Sequence, residues 1–409
     1  MNERDLSARE AAARLGVKLP TLYAYVSRGL LRSRPGAHGR ARRYLLRDVE
    51  ALRQRGSRAA QRALRWGEPI LESGITAMGP AGPLYRGHAA LELARANQPF
   101  EAVAELLWTG LLPEPPPRWP VEALPGALTS VPPLLPTDAP PSAVGLLLVA
   151  ADAARDPGRF DLRTPAILQR ARRLIRLLAA GLALPEAPER AREAWRASTL
   201  AEGVARACGL RPRLAALRAI DRCLVLLADH ELNASTFAAR VAASTHAELH
   251  ACVLAGLAAL SGPLHGAASD RVEALLAELR RPERAEHVVF ERSRRGELLP
   301  GFGHEFYPSG DPRARLLLET VQELGGRSPQ ARALLRLAAV MEEAGRPSAN
   351  VDAALVALRA ALGMRPGAAA GLFGVARAAG WVAHALEQVH SGELLRPRAR
   401  YRGEAPPSA

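Results

Sequence analysis

The 409-residue chain contains no apolar run approaching the roughly 18 residues that a membrane span needs, and its first ten residues are polar and mixed in charge. Neither a span nor a signal peptide is expected, and the scattered cysteines Cys208, Cys223 and Cys252, without metal-ligand or disulfide spacing, fit a reducing cytoplasm and predict no metal site. Lys18 is the sole lysine, which excludes P-loop and Schiff-base chemistry from the body of the chain and leaves anion binding to arginine.

The net charge of +14 is concentrated at the start: residues 1–66 hold 16 Lys and Arg against 5 Asp and Glu, while the rest of the chain carries only +3. A localised basic segment is the electrostatic footprint of a nucleic-acid-binding module. Within it, Ser7-Ala-Arg-Glu10 has the form of a capping box for a helix running to Leu15, and Gly16 ends that helix. A second short helix starts near Pro20 and carries Thr21, Tyr23 and Ser27 to Arg28, which makes a helix-turn-helix. Arg32, Arg34, Arg40, Arg42 and Arg43, interleaved with Pro35, Gly36 and Gly39, read as a wing, and Asp48 to Arg55 as a third helix. This segment resembles the winged helix-turn-helix of MerR-type regulators and excisionases. The resemblance implies contact with duplex DNA through Thr21, Tyr23 and Arg28 in the groove and Arg40, Arg42 and Arg43 on phosphates; the other reading is a docking module with a solvated basic face.

An Arg/Ala/Gln stretch between Arg53 and Arg65 reads as a linker helix, after which Ala/Leu-rich sequence with a 3.6-residue period predicts an all-α body. Amphipathic segments follow at Ala89 to Ala96 and Phe100 to Trp108; the Pro-rich span Leu112 to Pro141 is a connector. A long helix over Pro165 to Leu182 carries Arg170, Arg172, Arg173 and Arg176, read here as solvated charges. Ala228-Asp-His-Glu-Leu-Asn-Ala-Ser-Thr236 crowds polar groups directly after the apolar run Leu224 to Leu227, and buried polar groups need partners. His246 and His250 stand four apart on the next expected helix; without a third ligand they are taken as ordinary helix histidines.

The segment Pro300 to Arg315 is the most informative. Gly301, Gly303, Pro308, Gly310 and Pro312 forbid a continuous helix, so His304 and Arg313 are expected on a shaped loop, a titratable imidazole near a guanidinium suited to a carboxylate. His265 lies in a Gly/Pro turn, Ser261 to Gly266. Asn350 caps a helix whose first turn holds Asp352 among apolar neighbours, a setting that tunes a base, and Arg377 sits in a helix apolar on nearly every side, where a guanidinium needs an anion.

In this order Tyr85-Arg-Gly, Ala228-Asp-His-Glu-Leu-Asn-Ala-Ser-Thr, Gly262-Pro-Leu-His-Gly, Gly301-Phe-Gly-His, Asp311-Pro-Arg-Ala, Asn350-Val-Asp, Arg377-Ala-Ala-Gly-Trp-Val-Ala-His384 and Arg396-Pro-Arg look like the citrate synthase family. The resemblance implies a two-domain, all-α homodimer over residues 70–403, with a small subdomain at about residues 262–365, preceded by the module at 1–56 and a linker at 57–69 and followed by a tail at 404–409. It implies condensation of acetyl-CoA or propionyl-CoA with oxaloacetate, coenzyme A thioester being a co-substrate and no cofactor being tightly bound. Asp352 would be the base, His265 the donor to the thioester oxygen and His304 the group that polarises the ketone. His230, Arg313 and Arg377 would hold oxaloacetate, with Arg396 reaching in from the partner subunit, and Arg292, Arg294, Arg295, Gly301 and Gly303 would line the coenzyme A site. Leu227 stands where many members have a histidine, Ser269 where Asn is usual, and Glu305 and Pro308 where basic residues are common. The alternative reading is a DNA-binding regulator whose synthase-like body senses oxaloacetate or acyl-CoA.

Overall fold

The computed structural model describes residues 5–15, 17, 19–27, 31, 33–35, 42–46, 48–49, 71–325 and 328–397, and the chain divides into two compact units between Glu72 and Ser73. In the first unit the capping box is formed: the Ser7 amide donates to Glu10 Oε2 at 2.7 Å and the Glu10 amide donates to Ser7 Oγ at 3.3 Å, starting the helix Ala8–Leu15. The second helix is Leu19–Ser27. Strands β1 (Asp5–Ser7), β2 (Arg34–Pro35) and β3 (Arg42–Leu45) form an antiparallel sheet in the order β1-β3-β2, with Leu6 opposite Tyr44 and Arg34 opposite Arg43. Leu6, Ala11, Ala12, Leu22, Leu31, Tyr44 and Val49 make the core between helices and sheet. Arg42 and Arg43 are exposed, Arg42 donating to Ser33 Oγ, and Tyr23 is also exposed. Arg28, Arg32, Arg40, most of the expected third helix and the expected linker helix lie outside the described residues, as does the side chain of Thr21.

The second unit is helical apart from a meander, β4 (Thr76–Gly79), β5 (Gly82–Tyr85) and β6 (His88–Ala89), which the 3.6-residue period of the sequence does not announce. The connector is irregular except for the short helix Ala127–Ser130 and one 3₁₀ turn. The unit is built round the helix Ala368–Ser391, which packs on Phe100–Thr109, Thr164–Gly181, Leu214–Leu227, Ala234–Ser244 and Leu249–Leu260. It is the one described helix long and apolar enough to cross a membrane, and it is buried inside the molecule. Small residues let its neighbours approach closely. A Cβ on Gly380 would lie 2.7 Å from the Ala228 carbonyl oxygen, and one on Gly256 would lie 2.6 Å from the Trp381 ring. A second group of helices, Ala268–Leu279, Ala285–Arg294, Pro312–Glu323, Pro329–Glu343 and Val351–Leu362, packs on itself beside this centre.

Two sequence readings need correction. The arginines on Thr164–Gly181 are not solvated charges: Arg170 pairs with Asp156, Arg172 with Glu105, and Arg173 with Asp152 and Glu122, while Arg176 donates to the carbonyls of Trp195 and Ala197. Helical periodicity places these side chains on one face but cannot reveal that acidic groups distant in sequence meet them there. His246 is not on the following helix. It lies in the preceding turn with φ +58°, and only His250 is in Leu249–Leu260, buried and 3.4 Å from Asp152 Oδ2.

Candidate active site

The loop that carries His304 is shaped by two glycines and held by one asparagine. Gly301 and Gly303 adopt φ of +83° and +82°, which side-chain-bearing residues rarely do, and a Cβ on Gly301 would come within 2.9 Å of Ala353. The loop therefore lies directly on the helix Val351–Leu362. Asn350 joins the two: its amide donates to Gly301 O at 2.8 Å, its Nδ2 to Gly303 O at 3.0 Å, and its Oδ1 accepts from the Asp352 amide at 3.0 Å as the helix cap.

Asp352, in the first turn after this cap, has an Oδ1 that is buried and unpartnered among the described residues. Burial pushes its carboxyl up to about 7, against the pull of Arg313 and with a push from Asp311. A carboxyl in this condition exchanges protons near neutrality.

His304 is held in one tautomer. Its Nδ1 accepts from the Phe306 amide at 3.2 Å, so in the neutral ring the hydrogen is on Nε2, free to donate. Burial and Arg313 lower its pKa, which keeps it neutral. His230 packs edge-on to it at 5.5 Å and shares a 3.2 Å contact with the Tyr307 hydroxyl. The pKa of His230 is well below the ordinary value through burial, Arg313 and Arg377.

His265 sits in its turn with Nε2 2.8 Å from Ser235 Oγ and 3.2 Å from Asn233 Oδ1, and burial together with Arg377 depresses its pKa to about 4. Ser235 also receives Trp381 Nε1 at 3.2 Å, and its single hydrogen goes either to Asn233 Oδ1 or to His265 Nε2. In the second arrangement His265 Nδ1 carries the hydrogen and can donate to a ligand. Asn233 caps Ala234–Ser244, so of the polar groups crowded after Leu227, Asn233 and Ser235 find partners in the His265 turn and the helix start, His230 at Tyr307 and Asp229 at His384, while the Thr236 hydroxyl has none among the described residues. Ser269, at the position where Asn is usual, donates to Gly266 O at 3.0 Å and braces the same turn.

The two guanidinium groups lie between these elements. Arg313 is 2% exposed and its Nε and Nη2 grip Asp311 at 3.0 and 2.8 Å, leaving Nη1 without a partner among the described residues. Arg377 is 1% exposed and lies over the Phe373 ring; among the described residues only its Nε finds a partner, donating to the Leu227 carbonyl at 2.9 Å. Because the backbone oxygen of Leu227 is the acceptor, a side chain other than histidine there leaves this bond in place. Unneutralised burial lowers the Arg377 pKa to about 10, still charged at neutral pH. Both cations depress His230, His265 feels Arg377, and Asp352 feels both, so the six side chains share one electrostatic environment.

The remaining sequence candidates are elsewhere. Arg396 is exposed beyond Ala368–Ser391 and makes no hydrogen bond or ion pair to the described residues of its own chain. Arg292 pairs with Glu278 and Glu297, Arg294 with Glu291, and Arg295 with Glu291 and Glu297, outside the cluster. Two residues not singled out from sequence belong to the site. Tyr307 is buried, contacts His230 and lies 5.5 Å beneath the Arg313 guanidinium; Phe373 lies under Arg377 and against His265. The closeness of Tyr307 to His304 in a Gly/Pro loop was the one available signal.

The profile of a family described as "Citrate synthase, C-terminal domain" matches residues 63–398. The chain belongs to the citrate synthase family. A helix-turn-helix domain family matches residues 6–57. Among curated relatives, citrate synthase 2 of Bacillus subtilis is 37% identical over 198 residues, 48% of this chain and 53% of the relative. The 2-methylcitrate synthase of Shewanella oneidensis is 33% identical over 201 residues, 48% of this chain and 54% of the relative. The chain spans about half the length of the curated relatives it matches. Among solved structures, the citrate synthase of Thermoplasma acidophilum, in ternary complex with carboxymethyl coenzyme A and oxaloacetate, superposes with a TM-score of 0.73 at 25% identity, covering 84% of this chain and 96% of that one. The Pyrobaculum aerophilum citrate synthase gives 0.69 at 26% identity over 84% and 92%.

Proposed function

We propose that this family member condenses an acyl-CoA, acetyl-CoA or propionyl-CoA, with oxaloacetate to give citrate or 2-methylcitrate and free coenzyme A. The observation that carries the reading is Asp352: a carboxyl raised to about 7, its Oδ1 buried and without a partner among the described residues, in the field of buried guanidinium groups with spare N–H donors. Asp352 takes a proton from the carbon next to the thioester carbonyl, and His265 donates a hydrogen bond to the thioester oxygen as negative charge builds there. The resulting enol carbon attacks the oxaloacetate ketone, whose oxygen receives the His304 Nε2 hydrogen. Water then cleaves the thioester and releases coenzyme A. Arg313, Arg377 and His230 hold the oxaloacetate carboxylates, and Arg396 of the partner subunit completes the site in a homodimer. Fixing both substrates in reacting geometry is itself a large part of the acceleration. A thiol-release assay of purified protein with oxaloacetate and each acyl-CoA tests the reaction. The expected result is free thiol that depends on both substrates, and no release with either donor at saturation would overturn the proposal.

For the N-terminal unit we propose binding to duplex DNA, with the basic wing on phosphates and Tyr23 beside the groove. The exposed Arg42 and Arg43 on β3 and the +11 charge of residues 1–66 support it. If about five phosphates are neutralised, log K falls with log salt at a slope of about −4 to −5. A chain starting near Glu68 should lose this binding; equal weak binding by both chains would remove the assignment.

A further inference from the structure

A cavity of about 340 Å³ lies beside the His265 turn, within the range of small-molecule pockets. Its walls are apolar, from Val144, Leu178, Leu182, Leu257, Leu260 and Val375. Its lining also includes Ser261, Gly266 and Ala267 of the turn that bears His265, and Arg365, Pro366 and Gly367, where the chain enters the long core helix. None of the catalytic candidates lines it.

The charged groups at this cavity are unbalanced. Glu186 is paired with Arg365, whose other donors go to the carbonyls of Leu182 and Leu184. Asp138 and Asp270 have no side-chain hydrogen bond or ion pair among the described residues. Both carboxylates are exposed, so they stand on the solvent side of a largely apolar chamber, where they disfavour an anion by repulsion that solvent only partly screens. The chamber fits an apolar body with one positive end, the apolar part displacing water from the walls and the charge meeting Asp270 or Asp138.

We propose that this cavity is a second small-molecule site, distinct from the condensation site, that takes a compact hydrophobic ammonium ion. Partial desolvation by the wall holds the exposed Asp270 carboxyl above its ordinary value, and a neighbouring cation relieves that. Because Gly266 and Ala267 form part of the wall, the occupant also touches the backbone that aims His265. A Cβ on Gly266 would lie 2.8 Å from the Leu260 carbonyl oxygen, so this turn has little room to move independently of the wall.

The test is calorimetric titration of the full-length protein with hexylammonium, with hexanol and hexanoate as neutral and anionic counterparts of similar size. Saturable binding of hexylammonium at one site per chain is expected, with the alcohol weaker and hexanoate weakest. Asp270→Asn should weaken the cation by about fivefold and leave the alcohol unchanged, the scale of a partly screened charge pair. Ala370→Phe, which fills the cavity from the core helix, should abolish all binding while far-ultraviolet circular dichroism stays unchanged. Equal affinity for the three ligands, binding that survives Ala370→Phe, or no saturable binding would each overturn the proposal. Coupling to His265 rests on the condensation reading and is measured separately, as a hexylammonium-dependent change in the thiol-release rate that Ala370→Phe removes. Calorimetry needs no turnover, so failure of the cavity and failure of the condensation reading are distinguishable.

Discussion

Arginines on two helices of the same core meet different partners. On Thr164–Gly181, Arg170, Arg172 and Arg173 meet scaffold carboxylates, and Asp152 holds the Arg173 pKa above its usual value. On Ala368–Ser391, Arg377 meets a single carbonyl and, among the described residues, no carboxylate within ion-pair distance, and burial pulls its pKa down. Arg176, on the first helix, also meets only carbonyls and is pulled down by burial, so an unmatched guanidinium marks a ligand site only where other functional groups, here His230, His265 and Asp352, share its surroundings. Arg313 is intermediate, with Asp311 gripping two nitrogens and one left over.

The largest effect expected on the ligand side of this contrast comes from the group beside the unmatched cations. Asp352→Ala should lower the condensation rate about 10²- to 10⁴-fold, as loss of a general base does, with oxaloacetate affinity nearly intact. Mixing that variant with inactive Arg396→Ala protein should recover activity in mixed dimers, where one site has both residues; no recovery with subunit exchange verified would remove Arg396 from the shared site. Next, Arg377→Ala should weaken oxaloacetate binding by about 1.5 to 3 kcal/mol, the range for hydrogen bonds to charged groups. Arg170→Ala should instead lower the unfolding free energy by about 1 to 3 kcal/mol and leave the oxaloacetate KM unchanged. Equal shifts of KM in both variants would erase the distinction. The smallest effect is read against pH. The active form of Asp352 is the carboxylate, so with its pKa raised to about 7, kcat/KM should fall about tenfold per unit below that point. An acid limb centred near pH 4 would mean that another group, or an exposed carboxylate, governs the reaction.

Much of the site was legible before the fold. Gly301, Gly303 and the prolines mark a loop because they cannot continue a helix, and Asn350 before Val351 marks a helix start because its side chain caps an amide. Both inferences depend on neighbouring residues only. Tyr307 and Phe373 were missed because an aromatic ring near a Gly/Pro loop or within an apolar helix has no local signature of what it packs against; their partners, His230 and His265, come from other parts of the chain. The meander β4-β5-β6 was missed because strands of two to four residues are too short to establish a period of two.

By itself the sequence determined the helical class, the basic N-terminal module and the order of the motifs, since these follow from local propensity, charge and spacing. Only the tertiary structure decided which charges are matched. Arg173 and Arg377 are both arginines on core helices, yet Asp152 lies opposite the first and the Leu227 carbonyl opposite the second, and that pairing depends on how helices far apart in the chain pack. The same packing removed water from Asp352 and left its Oδ1 without a partner, which turns an ordinary first-turn aspartate into a group that titrates near neutrality.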